Sequence, residues 1–157
     1  MAQKLEVNWH WRSFNQLTNL ELYQLLKLRQ DVFVLEQQCL YPELDNEDFN
    51  HWHLLGYEGD NLAAYLRLIP PEHHKSGCVA IGRVVTQHDY RGFGLGYDLI
   101  KKAIKFSEKE FPGVVLFLSA QQHLKQFYQG FGFSAISKGY LEDGIPHIDM
   151  KKLPPLD

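Results

Sequence analysis

The chain is poor in the features that would place it outside a reducing interior or in a membrane. Only two cysteines, Cys39 and Cys78, occur among 157 residues, far apart, which is no disulfide framework and fits a reducing compartment. No apolar run approaches bilayer length, and no apolar leader follows Lys4 and Glu6. The expectation is a soluble, uncleaved, cytoplasmic protein with no membrane partner. A basic excess is also missing: the formal net charge is -3, so no nucleic-acid partner is expected. Lys101, Lys102, Lys105 and Lys109 form the densest cationic group and read as the solvated side of a helix, with contact to ligand phosphates as the alternative. Eight histidines invite a metal, but His51-x-His53 and His73-His74 lack further ligands at a ligating spacing, and neither cysteine is flanked by another. No metal is expected. Repeats, low-complexity tracts and linkers are absent too, and 45% hydrophobic residues over this length fit one domain spanning 1–157.

The most informative segment present is Arg91-Gly92-Phe93-Gly94-Leu95-Gly96, between an apolar strand-like run, Cys78 to Thr86, and a helical pattern from Leu95. At a helix start several backbone N–H groups have no partner, and the helix dipole adds partial positive charge. Gly92, Gly94 and Gly96 can take backbone angles that other residues resist and leave room for a pyrophosphate against the main chain. Arg91 adds a permanent cation. A Rossmann fingerprint counted from Gly92 fails, because Tyr97 stands where the third glycine belongs and the next strand offers no ribose-binding acid. A P-loop fails as well, since no Gly-Lys-Ser/Thr follows Gly96. What remains is Arg/Gln-x-x-Gly-x-Gly/Ala after a strand, or a glycine-rich turn that binds nothing.

Around this loop the pattern predicts alternating elements. Val7, Trp9 and Trp11 alternate within a first strand, Leu5 to Arg12. Thr18 and Glu21 form a capping box ahead of a helix with Leu22, Leu25, Leu26, Val32 and Phe33 on one stripe. An irregular acidic stretch, Tyr41 to Phe49, follows. His53 to Glu58 and Leu62 to Ile69 read as strands joined through Gly59-Asp60-Asn61. After the strand Cys78 to Thr86 comes a helix using Leu95, Leu99, Ile100, Ala103, Ile104 and Phe106, stopped by Pro112-Gly113. Val114 to Ala120 reads as a strand covered on both faces, His123 to Gly130 as a short helix, and Ser134 to Gly139 and His147 to Lys151 as closing strands. This order means an α/β layer architecture with a mixed sheet.

The stretch from about Val79 to Phe133, with the Arg91 loop and the closing Phe127-Tyr128-x-x-Phe131-Gly132-Phe133, resembles GNAT-superfamily N-acetyltransferases. A narrower resemblance, to the ElaA-like branch, covers nearly the whole chain. It is carried by Val32-Phe33-Val34-x-Glu36-Gln37-x-Cys39-x-Tyr41-x-Glu43-x-Asp45, Ile81-Gly82-Arg83-Val84, Ala120-Gln121-x-His123-Leu124 and Glu142-Asp143-Gly144-Ile145-Pro146-His147-Ile148. The resemblance implies the acyl-CoA N-acyltransferase fold, a mixed, mostly antiparallel sheet with helices on both faces. It implies acetyl-CoA as cosubstrate and an amine-bearing acceptor. Backbone groups of Val84, Val85 and Thr86 would meet the acetyl and pantetheine portions. Arg91, Gly92, Phe93, Gly94, Leu95, Gly96 and Tyr97 would hold the pyrophosphate. Tyr128 falls near the coenzyme sulfur, and Gln121 stands where many relatives have a pantetheine-binding asparagine.

Acetyl transfer to an amine needs a neutral nitrogen, a polarised carbonyl and a proton for the departing thiolate. A lysine-like amine has a pKa of about 10.4, so a base or a desolvating pocket must generate the nucleophile. A backbone N–H near Val84 or Val85 can meet the oxyanion, and Tyr128 can protonate the thiolate. The strand on which some relatives carry a glutamate is here Leu116-Phe117-Leu118 and apolar. Glu36, Asp45 and His147 are therefore the candidate bases. Each has a structural alternative: Glu36 as partner of Arg29, Asp45 as a turn residue, His147 as a brace for the loop after Gly144. Arg67 and Arg83 interrupt apolar strands and call for Glu36 or Asp45 as partners, or else for an acceptor carboxylate. Cys39 has no activating neighbour in sequence and reads as a core residue. Two other readings stay open: an acyl-CoA binding or sensing module without catalysis, and an interaction domain that has lost the coenzyme. The tryptophans and terminal strand fit either burial within one chain or a homodimer.

Overall fold

A computed structural model describes residues 5–156, so Lys4 and both ends of the expected 1–157 domain lie outside the described residues. The chain forms two compact units, Met1–Leu68 with Arg83–Ile100, and Ile69–Gly82 with Lys101–Asp157.

In the first unit, β1 (Asn8–Ser13) starts later than the alternating pattern and pairs antiparallel with β2 (Trp52–Glu58). Trp9 faces Gly56, where a Cβ would come within 2.6 Å of the indole, so the ring fills the space the glycine leaves. Thr18 caps α1 (Asn19–Arg29) as predicted. Its hydroxyl accepts the Glu21 N–H at 3.1 Å, and the Glu21 carboxylate accepts the Thr18 N–H at 2.9 Å. The chain then continues as a π-helical segment, Gln30–Glu36, of the wide-turn type that often marks functional sites. The predicted stripe packs as expected: Leu25 and Val32 join Leu28, Leu55, Leu62, Tyr65 and Val85 in one core, with Leu22, Leu26 and Phe33 against it. Each such aliphatic contributes about 1.5–3 kcal/mol on full burial. β2 and β3 (Asn61–Ile69) form a hairpin turned at Gly59-Asp60, with Gly59 at φ +59°, a positive φ that a two-residue turn assigns to glycine.

The acidic stretch Tyr41–Phe49 resolves the charge of this unit. Arg29 is fully buried and donates to Glu43 at 2.7 Å and to Asp48 at 2.8 Å. Arg67 donates to Asp48 at 2.9 Å and to both oxygens of Asp45, at 3.1 and 2.6 Å. Arg83 donates to the same Glu43 oxygen at 2.7 Å and lies 3.5 Å from Asp45. Three guanidinium groups and three carboxylates thus form one neutral network. This corrects two expectations: Glu36 partners neither Arg29 nor Arg67 nor Arg83, and Asp45 is no mere turn residue. Beneath the network His53 bonds the Tyr65 hydroxyl at 2.6 Å and the Asp48 carbonyl at 3.0 Å.

β4 (Val79–Thr86) begins in the second unit and continues into the first, and α2 (Leu95–Glu110) passes from the first into the second. In the second unit β5 (Leu116–Gln121) runs parallel to β4 through Val79–Ile81 and antiparallel to β8 (Ile145–Lys152). β6 (Ser134–Ala135) and β7 (Tyr140–Glu142) pair antiparallel with the other edge of β8, so the strand order is β4-β5-β8-β6. α3 (Lys125–Gln129) precedes β6. The sheet is mixed and mostly antiparallel, as expected, with an α/β architecture.

Two elements differ from expectation here. The strand expected over Ser134–Gly139 ends at Ala135, where Ser137 turns its hydroxyl to accept the Asp149 N–H at 3.0 Å. An unexpected strand, β7, then hairpins onto β8 through Asp143 (φ +51°) and Gly144 (φ +79°). β5 is also not covered on both faces, because Leu116, Leu118 and Ala120 are buried while Ser119 is exposed.

Two stability measurements test the network. Arg29→Met leaves Glu43 and Asp48 buried beside one guanidinium fewer, and the expected loss is about 3–5 kcal/mol by urea unfolding. An unchanged midpoint would show that the network does not hold the unit together. Burial, followed by Arg67, pushes the His51 imidazole down to about 3, and burial likewise holds His53 below its usual range. For Asp48 burial acts upward, but Arg29 and Arg67 outweigh it and hold the carboxyl low. In each case the unfolded chain binds the proton more readily. Stability is therefore full above about pH 6.5, falls below it through the histidines, and falls further below about pH 4 through Asp48. His51→Gln should flatten the slope between these values by about 1.4 kcal/mol per pH unit.

Candidate active site

The glycine loop lies in the first unit and has the form its sequence requires. Gly92 and Gly94 sit at φ +87° and +77°, and a Cβ built on either meets nothing within 4 Å, so a phosphate has room to approach the main chain. Gly96 corrects the expectation, since it is an ordinary helical residue in the first turn of α2. The first bond of α2 runs from the Asp98 N–H to the Gly94 carbonyl at 3.1 Å. The Leu95 and Gly96 amides consequently have no acceptor one turn back and mark the positive end of a 16-residue helix. Phe93 and Tyr97 are exposed beside them.

Val84, Val85 and Thr86 end β4, and a 3-10 turn, His88–Tyr90, leads from it to the loop. The Val85 side chain is committed to the core, which leaves its backbone for other work. Arg83 just ahead has φ +52°, a left-handed value in a non-glycine residue, and the β4–β5 ladder stops at Ile81. Arg91 folds back on this strand: its Nε donates to the Thr86 carbonyl at 3.2 Å, and its two terminal nitrogens meet the two Glu36 oxygens at 3.1 and 2.8 Å. The structure thus brings Glu36, at the end of the π-helical segment, to the glycine loop. Asp45 is held between Arg67 and Arg83 instead.

The second unit carries Gln121, Tyr128 and His147. Tyr128 in α3 is 5% exposed and packs edge-on to Phe127 and Phe133. Burial pushes its phenol up to about 12, so it holds its proton at neutral pH. Gln121 ends β5 directly opposite His147 on β8. The imidazole Nδ1 lies 2.7 Å from the Ile145 carbonyl, which can only accept, so Nδ1 carries a proton and donates it there. Nε2 lies 3.6 Å from a Glu142 carboxylate oxygen.

Around His147 stand residues that sequence reasoning missed. Tyr140 on β7 stacks on the imidazole, with centroids 6.2 Å apart and planes at 26°. Its hydroxyl donates to Asp149 at 2.6 Å and contacts the Ser119 hydroxyl. Burial and Asp149 push this phenol, too, up to about 12. The signal that finds this cluster is Asp143-Gly144, the dipeptide most typical of a tight hairpin, with residues of β7 and β8 on either side.

Comparison with known proteins places this arrangement. Residues 23–154 match the family described as "Acetyltransferase (GNAT) domain". A UPF0039 protein of Synechocystis is 41% identical over 147 residues, 93% of this chain and 95% of its own. Among solved structures, an acyl-CoA N-acyltransferase from Pseudomonas aeruginosa superposes with a TM-score of 0.90 at 43% identity, covering 94% of this chain and 99% of that one. Escherichia coli ElaA superposes with a TM-score of 0.87 at 36% identity and the same coverage. The fold is that of the acyl-CoA N-acyltransferases, and the chain belongs to the GNAT acetyltransferase family, in the group that includes ElaA and the UPF0039 proteins.

Proposed function

We propose that the protein is a cytoplasmic enzyme, acting as one catalytic domain, that moves an acetyl group from acetyl-CoA to a primary amine by direct attack in a ternary complex. The observation that carries this reading is the open, positive-φ turn at Gly92 and Gly94 at the mouth of α2, which is built to receive a pyrophosphate. Arg91 and residues 92 to 97 hold the coenzyme's phosphates, the backbone of Val84 to Thr86 holds the acetyl and pantetheine portions, and Gln121 contacts the pantetheine arm. A backbone N–H of Val84 or Val85 stabilises the tetrahedral oxyanion. Tyr128, protonated at neutral pH, gives its proton to the leaving thiolate.

Among the three candidate bases the geometry favours His147. Its Nδ1–H is fixed on Ile145, which leaves Nε2 able to take a proton. Asp45 is held by two arginines, and Glu36 is bonded through both oxygens to Arg91. Glu36 therefore acts on the coenzyme step, because it and the pyrophosphate compete for the same guanidinium.

Coenzyme binding and thiol release, measured separately, test the reading. Tyr128→Phe should lower turnover by about 100-fold or more while changing coenzyme affinity less than about twofold, and unchanged turnover would remove Tyr128 from the mechanism. Arg91→Ala should weaken coenzyme binding. Glu36→Gln should tighten it by up to about fivefold, the most an exposed ion pair of about 1 kcal/mol allows. Buried Leu116 and Leu118 leave that stretch of β5 without a carboxylate, which is the observation favouring the sensor reading. Coenzyme binding with no acceptor-dependent thiol release from polyamines, amino acids, peptides or aminoglycosides would establish that reading in place of the transferase.

A further inference from the structure

We propose that Arg83 is a positioning residue for acyl transfer: its guanidinium, fastened to Glu43, holds a left-handed bend in β4 that aims the Val84 amide at the thioester carbonyl. The proposal rests on the acetyl-CoA reading above, and the residues that carry it lie in the first unit.

The bend stands where the local sequence would not put it. Arg83 has φ +52° inside β4, whereas Gly82, which could take such an angle at little cost, is not at positive φ. Successive amides of an extended strand point to opposite edges, and a left-handed residue breaks that alternation and turns the next amide away from it. That next amide belongs to Val84, one of the two assigned to the oxyanion. An arginine keeps an angle suited to glycine only where its surroundings hold it there. Arg83 Nε donates to Glu43 Oε2 at 2.7 Å, and a terminal nitrogen donates to the Glu43 main-chain carbonyl at 3.2 Å, so the fork grips one residue twice. The Tyr41 hydroxyl donates to the other Glu43 oxygen at 2.6 Å, and the Arg83 guanidinium lies over the Tyr41 ring, 5.9 Å from its centroid.

The far side of the same amide is fixed by packing. Val85 is 4% exposed and sits in one core with Leu25 and Leu28 of α1 and with Tyr65. Arg29, which ends α1, donates to the same Glu43 oxygen as Arg83 does, at 2.7 Å. One helix thus steadies the Val84 amide from both directions, through charge ahead of it and through packing behind it. A donor fixed before the reaction stabilises an oxyanion without reorganising as the charge develops. Arg83 acts in this through its backbone, while its guanidinium is spent on Glu43.

The test compares Arg83→Ala, Arg83→Gly and Arg83→Lys in the full chain, each loaded with acetyl-CoA carrying carbon-13 at the acetyl carbonyl. A hydrogen bond from a fixed amide moves the bound carbonyl resonance downfield of the free ester, and this signal needs no acceptor. Alanine lacks the anchor and disfavours the angle. Its resonance should return toward the free position and its turnover per folded enzyme should fall about tenfold or more, with the coenzyme Kd changed less than about twofold. Glycine takes the angle without an anchor, so it should recover most of the carbonyl shift and stay within about threefold of the parent's turnover. A strand held for stability alone gives the reverse order, because glycine is the poorer strand residue. Lysine keeps a cation against Glu43 but cannot grip it twice, and should fall between parent and alanine in both readouts even if the alanine variant does not fold.

The proposal is overturned if alanine keeps the parent's carbonyl shift, if glycine loses it as alanine does, or if lysine matches the parent in both readouts. Calorimetry separates it from the reading on which it rests. A parent that takes up no acetyl-CoA removes both. A parent that binds acetyl-CoA but releases no thiol to any amine removes the transferase reading, while the carbonyl resonance still decides the role of Arg83.

Discussion

The first unit depends on one carboxylate oxygen, Glu43 Oε2, that accepts from Arg29 and Arg83 together, each at 2.7 Å. Arg29 ends α1, Arg83 lies within β4, and Glu43 belongs to a stretch with little regular structure of its own. Burying any one of these charges alone would cost several kcal/mol, and only the complete set removes that penalty. The irregular acidic segment is thus held in place without a helix or a strand. That segment fixes the path of the chain between the π-helical segment carrying Glu36 and strand β2. Arg83 can keep a left-handed backbone in β4 because its guanidinium is anchored at the far end.

Much of this was legible in the sequence, though by different signals. The cap at Thr18, the stripe of α1, the Gly59 turn and the loop at Gly92 and Gly94 are local patterns, and local patterns survive folding because few neighbours need to be known. Arg67 and Arg83 were visible as charges demanding partners. Of the carboxylates that answer, Asp45 was named from the sequence and is borne out, whereas Glu43 and Asp48 were not, since Glu43, Asp45, Glu47 and Asp48 are alike in composition and differ only in where the turn aims them. Counting was the signal available: three arginines in apolar segments require about three acids, and one stretch supplies them. Glu36 fell outside that count because its partner, Arg91, is separated by 55 residues and belongs to a motif read only for its affinity toward phosphate.

The second unit shows the opposite failure. Val114 to Ala120 looked apolar enough to be covered on both sides, yet the exposure of Ser119 shows that one face of β5 stays open. Tyr140 and the strand it belongs to went unnoticed because three residues are too few to show a period, whereas Asp143-Gly144 between β7 and β8 states the hairpin outright. Without that strand His147 read only as a base or as a brace for the loop after Gly144. With the turn in place, it becomes a ring with its Nδ1 proton placed, an aromatic support and a carboxylate at hand.

These two corrections bear on how the proposed reaction would be divided. Glu36 is tied to a cation that a pyrophosphate also wants, while His147 is tied to a carbonyl that leaves its other nitrogen ready. A base already spent on Arg91 cannot serve the amine until coenzyme has arrived, and once released it faces an arginine newly satisfied by phosphate. A base whose proton is placed by a backbone carbonyl needs no such exchange and is available with or without coenzyme. In the function proposed above, Glu36 belongs to the coenzyme step and His147 to the amine step. Under that proposal the apolar β5 needs no carboxylate, because His147 takes the acceptor's proton.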